Sequence, residues 1–173
     1  MTTFDDRCDS ALEPVRRSAS LRRVFAAAST VGDFSVVWHA CGLAYAVGSR
    51  DRLAQALALS IALGFESLIV NQGIKRLFRR TRPTTSGDHR FEVRTPSTSS
   101  FPSGHASSAT FAAVILTTFT GWPLVLLWAA LAVVVALSRV VVRIHHASDI
   151  VGGVVTGALL ASVAAPVISR ILA

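Results

Sequence analysis

Apolar residues fall in long runs along this chain. Between Arg94 and Arg139 there is no Asp, Glu, Lys or Arg. Gly121-Trp122-Pro123, a turn pair beside an aromatic, breaks that run near its middle. A hydrocarbon layer about 30 Å thick is crossed by about 20 apolar residues of helix. The run therefore predicts two spans, about Ser103 to Thr120 and about Pro123 to Val142. Ile150 to Ser169 is a further uncharged run, with Gly153 and Gly157 at the spacing that lets helices approach closely in lipid. Upstream, Val24 to Ser49 is interrupted only by Asp33 and His39, and Leu53 to Ile74 only by Glu66, with Arg50-Asp51-Arg52 between them. Alternation of apolar and polar residues is absent. The pattern predicts an all-α, integral membrane bundle of about five transmembrane helices.

Composition agrees with that reading. Hydrophobic residues make up 51% of the 173 and charged residues 16%, where a soluble domain carries about 25% charged. Cys8 and Cys41 are too few for a disulfide framework or a zinc site. Residues 1–23 mix acidic and basic side chains without an apolar core, so they do not read as a cleaved signal peptide. They are expected to form a tail, as an amphipathic helix on the membrane surface through Leu12, Val15 and Leu21, ahead of a membrane domain over 24–173. Lys75 to Pro102, basic and containing Pro83 and Pro96, is expected to be a loop.

With five spans, three segments share one side of the bilayer: Lys75 to Arg82, Ser103 to His105, and Arg139 to Asp149. Ionisable groups at a membrane edge are functional candidates by default. Lys75, Arg82 and Arg139 offer donors suited to phosphate oxygens. Gly104 admits a backbone N–H to an anion, and Ser103 adds a hydroxyl at a helix N-terminus. His145 and Asp149, four apart, share a face if the last helix begins early enough, with the carboxylate holding one ring nitrogen while the other attacks. His105 heads a different helix and is placed to protonate a departing alkoxide. Asp149 is the only carboxylate expected in this pocket, too few hard oxygen ligands for a divalent cation.

Lys75-x6-Arg82-Pro83, Pro102-Ser103-Gly104-His105 and Ser138-Arg139-x5-His145-x3-Asp149 occur in this order. They resemble the three motifs of the type 2 phosphatidic acid phosphatase (PAP2) superfamily. The resemblance implies His145 as a nucleophile forming a phosphohistidine, Asp149 as its partner and His105 as general acid. Lys75, Arg82, Ser103, Gly104 and Arg139 are implied as phosphate ligands, with no metal or other cofactor. Members often carry Gly and a Tyr-Pro pair around the nucleophile, where this chain has Arg143 and His146-Ala147. The chain also looks like small actinobacterial members of the superfamily.

The expected partners are the bilayer and a lipid phosphate, with no nucleic acid. The substrate implied is a polyprenyl phosphosugar phosphate such as decaprenylphosphoryl-5-phosphoribose, or phosphatidic acid or phosphatidylglycerophosphate, with a polyprenyl diphosphate as the alternative. Vanadium-dependent haloperoxidases share the motifs but are larger and soluble, and a non-catalytic anionic-lipid-binding protein has no need of the histidines. Arg76, Arg79 and Arg80 read as headgroup anchors, and His146 as a neighbour of the site. Asp33, His39, Glu66, Asn71 and Gln72 read as structural polar contacts, with Asp33 and Glu66 pairing with a basic residue or with each other. The mouth side receives fourteen Lys and Arg against three on the other. An inner (plasma) membrane location with the active site facing the cytoplasm is therefore expected.

Overall fold

The computed structural model describes residues 3–84, 88–91 and 93–173. Residues 1, 2, 85–87 and 92, which fall in the expected tail and basic loop, lie outside the described residues. The helices are α1 (Phe4–Ala11), α2 (Glu13–Arg17), α3 (Ala19–Val31), α4 (Val36–Ala46), α5 (Arg50–Ser67), α6 (Gly104–Thr120), α7 (Val125–Val141) and α8 (Ala147–Leu172). Side-chain oxygens of Thr3, Ser18, Ser49 and Ser103 cap α1, α3, α5 and α6, each meeting a helix-end N–H that has no partner within the helix.

α6 lies at the centre, packed on α8 and α7. Its closest approach is to α8. A Cβ on Gly153 would stand 2.5 Å from the Ser103 carbonyl oxygen, and one on Gly157 2.2 Å from that of Ser107. Trp38, Leu59, Leu63, Phe111, Ile115, Leu116 and Trp128 fill the bundle core. Leu57, Ile61, Phe65, Leu126, Leu159, Val163 and Ile171 face outward. That arrangement is stable only against lipid. Arg50–Leu77, Trp122–Val141 and Ala147–Leu172 are long and apolar enough to cross a membrane, and the pair Ala19–Val31 and Asp33–Ala46 makes a fourth if taken as one span. α6, at 17 residues, is about 25 Å long.

Three expectations need correction. The first span is not one helix: it bends by 70° after Val31, where Phe34 and Ser35 take the left-handed conformation (φ 52° and 60°). The second ends not as α-helix but as a π-helical turn over Leu68–Gly73 and a 3-10 turn over Ile74–Leu77. The tail does not offer Leu12 and Val15 to the bilayer, although Leu21 stays exposed. It docks on the mouth of the bundle, where Leu12 and Val15 pack on Phe91, Val141, Val142 and Ile144. Arg16, fully buried, donates from Nε to the Val141 carbonyl (2.9 Å) and from Nη2 to that of Val140 (3.1 Å), placing a cation on the negative end of α7.

Candidate active site

The three motif segments meet around one cavity of about 310 Å³, lined in part by Lys75, Gly104, His105, Arg139 and His145. Arg82 adjoins it, donating from Nη1 to His145 Nε2 (3.3 Å) and to the Ile144 carbonyl (2.9 Å). Ser103 and Asp149 lie buried behind the cavity. Ser103 caps α6, and its backbone N–H donates to the Asp149 carbonyl (3.0 Å). A Cβ on Gly104 would come within 3.1 Å of Asn71 Oδ1 and 3.5 Å of Lys75 Nζ, so glycine here keeps the first N–H groups of α6 beside the ammonium.

His145 and Asp149 meet by a route other than the one expected. α8 begins at Ala147, so His145 lies before the helix and the two are not stacked on one helical face. His146 stands at the N-cap and Asp149 at the third helical position, where Asp149 Oδ2 accepts from the His146 N–H (2.8 Å). The chain folds back through Arg143, whose φ is +58°. That is the position where related sequences often carry glycine, which takes a left-handed φ without steric cost. His145 Nδ1 then faces Asp149 Oδ2 at 3.4 Å. With Nδ1 donating to the carboxylate, Nε2 carries the lone pair, toward Arg82. Burial above all, together with Arg82, Arg139 and Lys75, pushes the His145 imidazole well below its ordinary pKa against the pull of Asp149.

Two side chains read otherwise from the sequence, or not singled out there, hold Asp149. Arg80, taken as a headgroup anchor, donates from Nη1 to Asp149 Oδ1 (2.6 Å), and the Ser100 hydroxyl donates to Oδ2. A signal for Arg80 existed: in an extended segment residues two apart face the same way, and Arg80 and Arg82 both reach the loop around His145. His146, as expected, is a neighbour, its Nε2 donating to the Thr81 carbonyl (3.3 Å).

The surroundings of His105 also differ from expectation. Asp33 and Glu66 both line the cavity, so Asp149 is not the only carboxylate near it. They do not pair with each other: Asp33 Oδ1 stands 3.1 Å from His105 Nε2, and Glu66 accepts from the Ser107 hydroxyl. Among the described residues no group of three or more His, Cys, Asp or Glu side chains is gathered to hold a metal ion.

Arg139 Nη1 donates to the Ser29 hydroxyl, but its Nε and Nη2, and Nε of Arg82, are buried with no hydrogen-bond partner among the described residues. A buried donor without an acceptor costs about 1–3 kcal/mol, more when charged. Such donors are kept where an anion supplies the acceptors. Buried cationic donors beside an imidazole–carboxylate pair, in a cavity at the edge of a lipid-facing bundle, fit one class: an integral-membrane phosphatase of lipid phosphates.

Relatives narrow the class to a family. The sequence matches the PAP2 superfamily over residues 53–172, and the chain belongs to it. A decaprenylphosphoryl-5-phosphoribose phosphatase of Mycolicibacterium smegmatis is 39% identical over 129 residues, covering 73% of this chain and 68% of the relative. One of Mycobacterium tuberculosis is 36% identical over 138 residues, covering 78% and 73%. The crystal structure of a transmembrane PAP2 type phosphatidylglycerolphosphate phosphatase from Bacillus subtilis has the same fold, with TM-score 0.64, 23% identity, and 94% and 86% of the two chains covered.

Proposed function

We propose that this phosphatase removes the terminal phosphate of a polyprenyl-phosphate-linked sugar phosphate, as the names of its mycobacterial relatives suggest, by way of a phosphohistidine at His145. The observation that carries the reading is the set of unpartnered buried donors on Arg139 and Arg82 around a carboxylate-oriented imidazole. In the proposed sequence Lys75, Arg82, Arg139 and the first N–H groups of α6 behind Ser103 and Gly104 hold the phosphoryl oxygens. His145 Nε2 attacks phosphorus, and the P–O bond to the sugar breaks as His105 gives its proton to the departing oxygen. Water, deprotonated by His105, then displaces phosphate from the nitrogen.

A second cavity of about 660 Å³ adjoins the first, sharing Asn71, Gln72, Lys75, Pro96 and Thr98. Lys75, Arg76, Arg79, Arg80 and Arg82 line it together with Thr84, Thr95, Ser97 and Thr98, and no carboxylate does among the described residues. This chemistry suits a second phosphate and sugar hydroxyls, which a phosphosugar phosphate carries and phosphatidic acid does not. Phosphate release by detergent-purified protein tests the reading, with a polyprenylphosphoryl-5-phosphoribose expected to exceed phosphatidic acid and a polyprenyl diphosphate in kcat/KM. Equal turnover of all three would overturn the sugar preference.

The proposed orientation places the mouth in the cytoplasm. Without Lys75, Arg82 and Arg139, which serve the phosphate, eleven Lys and Arg still lie on the mouth side against three. The docked tail supports one part of this, since it keeps the N-terminal segment on the side of the mouth. Labelling of a cysteine at Ser97 in a variant lacking Cys8 and Cys41, expected only after permeabilisation, checks it.

A further inference from the structure

We infer that Asp33 is a positioning residue that fixes the tautomer of His105 and balances its charge, an inference that rests on the general-acid role proposed above for His105. His105 Nε2 faces two acceptors, Asp33 Oδ1 at 3.1 Å and the Ser29 carbonyl at 3.2 Å. Both require a proton on Nε2, so the proton that moves to the leaving oxygen sits on Nδ1. An imidazole able to give that proton is an imidazolium, and this one shares its cavity with Lys75 and Arg139. Among the described residues Asp33 is the carboxylate in contact with the ring, since Glu66 is turned to Ser107.

The backbone is built around this contact. α3 stops at Gly32, where a Cβ would stand 2.6 Å from His105 Cδ2. Phe34 and Ser35 then adopt left-handed conformations, which a residue with a side chain takes only at a steric cost. The bend does not serve to bury Phe34, which is 77% exposed. What it does is turn Asp33 into the cavity. Asp33 stands outside the three motifs and outside the matched range 53–172.

The test compares Asp33→Asn, near-isosteric and uncharged, with His105→Ala in detergent, on an alkyl phosphate, whose leaving group must be protonated, and on p-nitrophenyl phosphate, whose leaving group need not be. Phosphoenzyme formation is read by rapid quench, since hydrolysis of the phosphohistidine is common to both esters and also uses His105. Asp33→Asn is expected to slow phosphoenzyme formation from the alkyl ester by about 10–100-fold, the effect typical of an orienting partner. Inhibition by vanadate and phosphoenzyme formation from the aryl ester should stay within about threefold, and the double variant should lose no more than His105→Ala alone. Equal losses on both esters, or an additive double variant, would overturn the inference. If His105→Ala itself slowed phosphoenzyme formation from both esters equally, the proposed role of His105 would fall instead. Should Asp33→Asn not fold, Asp33→Glu gives the same reading, with an alkyl-to-aryl ratio expected closer to wild type than that of His105→Ala. A ratio matching His105→Ala in a carboxylate-bearing variant would count against a charge effect.

Discussion

Arg80 joins the N-terminal tail to the site: one guanidinium donates to Asp149 Oδ1 at 2.6 Å and to Asp5 Oδ2 at 2.7 Å. Asp5 also accepts from the Ser148 N–H at 2.8 Å, at the start of α8. The start of the helix that carries Asp149 is thus held from the tail. Asp149 is fully buried, and Arg80 is the cation in direct contact with it. Removal of Arg80 is expected to lower kcat by about 10–100-fold, because it loosens the group that orients His145. Asp5→Asn, acting one step further away, is expected to cost only a few-fold. Steady-state kinetics on a lipid phosphate check both, and an Asp5→Asn variant as impaired as Arg80→Ala would place the tail's role elsewhere.

His145→Ala is expected to abolish turnover, below about 1% of wild type, and with it any acid-labile phosphoenzyme trapped from labelled substrate, because the proposed mechanism forms the phosphoenzyme on this ring alone. His105→Ala should still form the phosphoenzyme from an activated aryl phosphate. Quench experiments on the two variants separate the steps.

In the proposed mechanism the pKa of His145 sets the acid limb of the pH profile. Burial and the surrounding cations lower it, so the ring binds its proton only well below the ordinary imidazole value of about 6.5. The nucleophile therefore stays neutral as pH falls through 6.5 and is lost only further down. Once corrected for the dianion fraction of the substrate, kcat/KM is expected to show no limb near 6.5 that belongs to His145. A limb of that value surviving in His105→Ala would contradict this.

Gly157 is expected to tolerate no side chain. An added methyl would overlap the Ser107 backbone rather than a movable side chain, so α6 and α8 must separate. Gly157→Ala is expected to destabilise by about 1–3 kcal/mol, read as a lowered thermal midpoint in detergent. Gly64, with nothing within 4 Å of an added Cβ, is the control.

Positive charge at the site comes from Lys75, Arg82 and Arg139, and Asp33 and Glu66 are engaged by His105 and Ser107. Chelators are therefore expected to leave the rate unchanged. Vanadate should inhibit competitively, its oxygens taking the donors left free on Arg139 and Arg82. A rate that required added Mg²⁺ would contradict this.

The uncharged runs of this sequence determined the helices, because about 20 apolar residues without a charge have no good place other than lipid. Motif spacing determined which segments meet: Lys75, Gly104, His105, Arg139 and His145, from all three motifs, line one cavity. Tertiary structure decided which neighbours complete the site. Arg80 looks in sequence like any basic flank, and only the fold of the 78–100 loop carries it to Asp149, nearly seventy residues away. Asp33 sits in an apolar run whose hydropathy gives no sign of a bend. The bend depends on two left-handed residues, on the absence of a Cβ at Gly32 and on His105 from another helix. The tail was legible as amphipathic but not as docked, because Arg16 needs the exposed carbonyls at the end of α7, which exist only once α7 has ended. Local pattern encodes what a segment can bury; which polar groups then meet is a property of the packed whole, since each partner is supplied by a different helix.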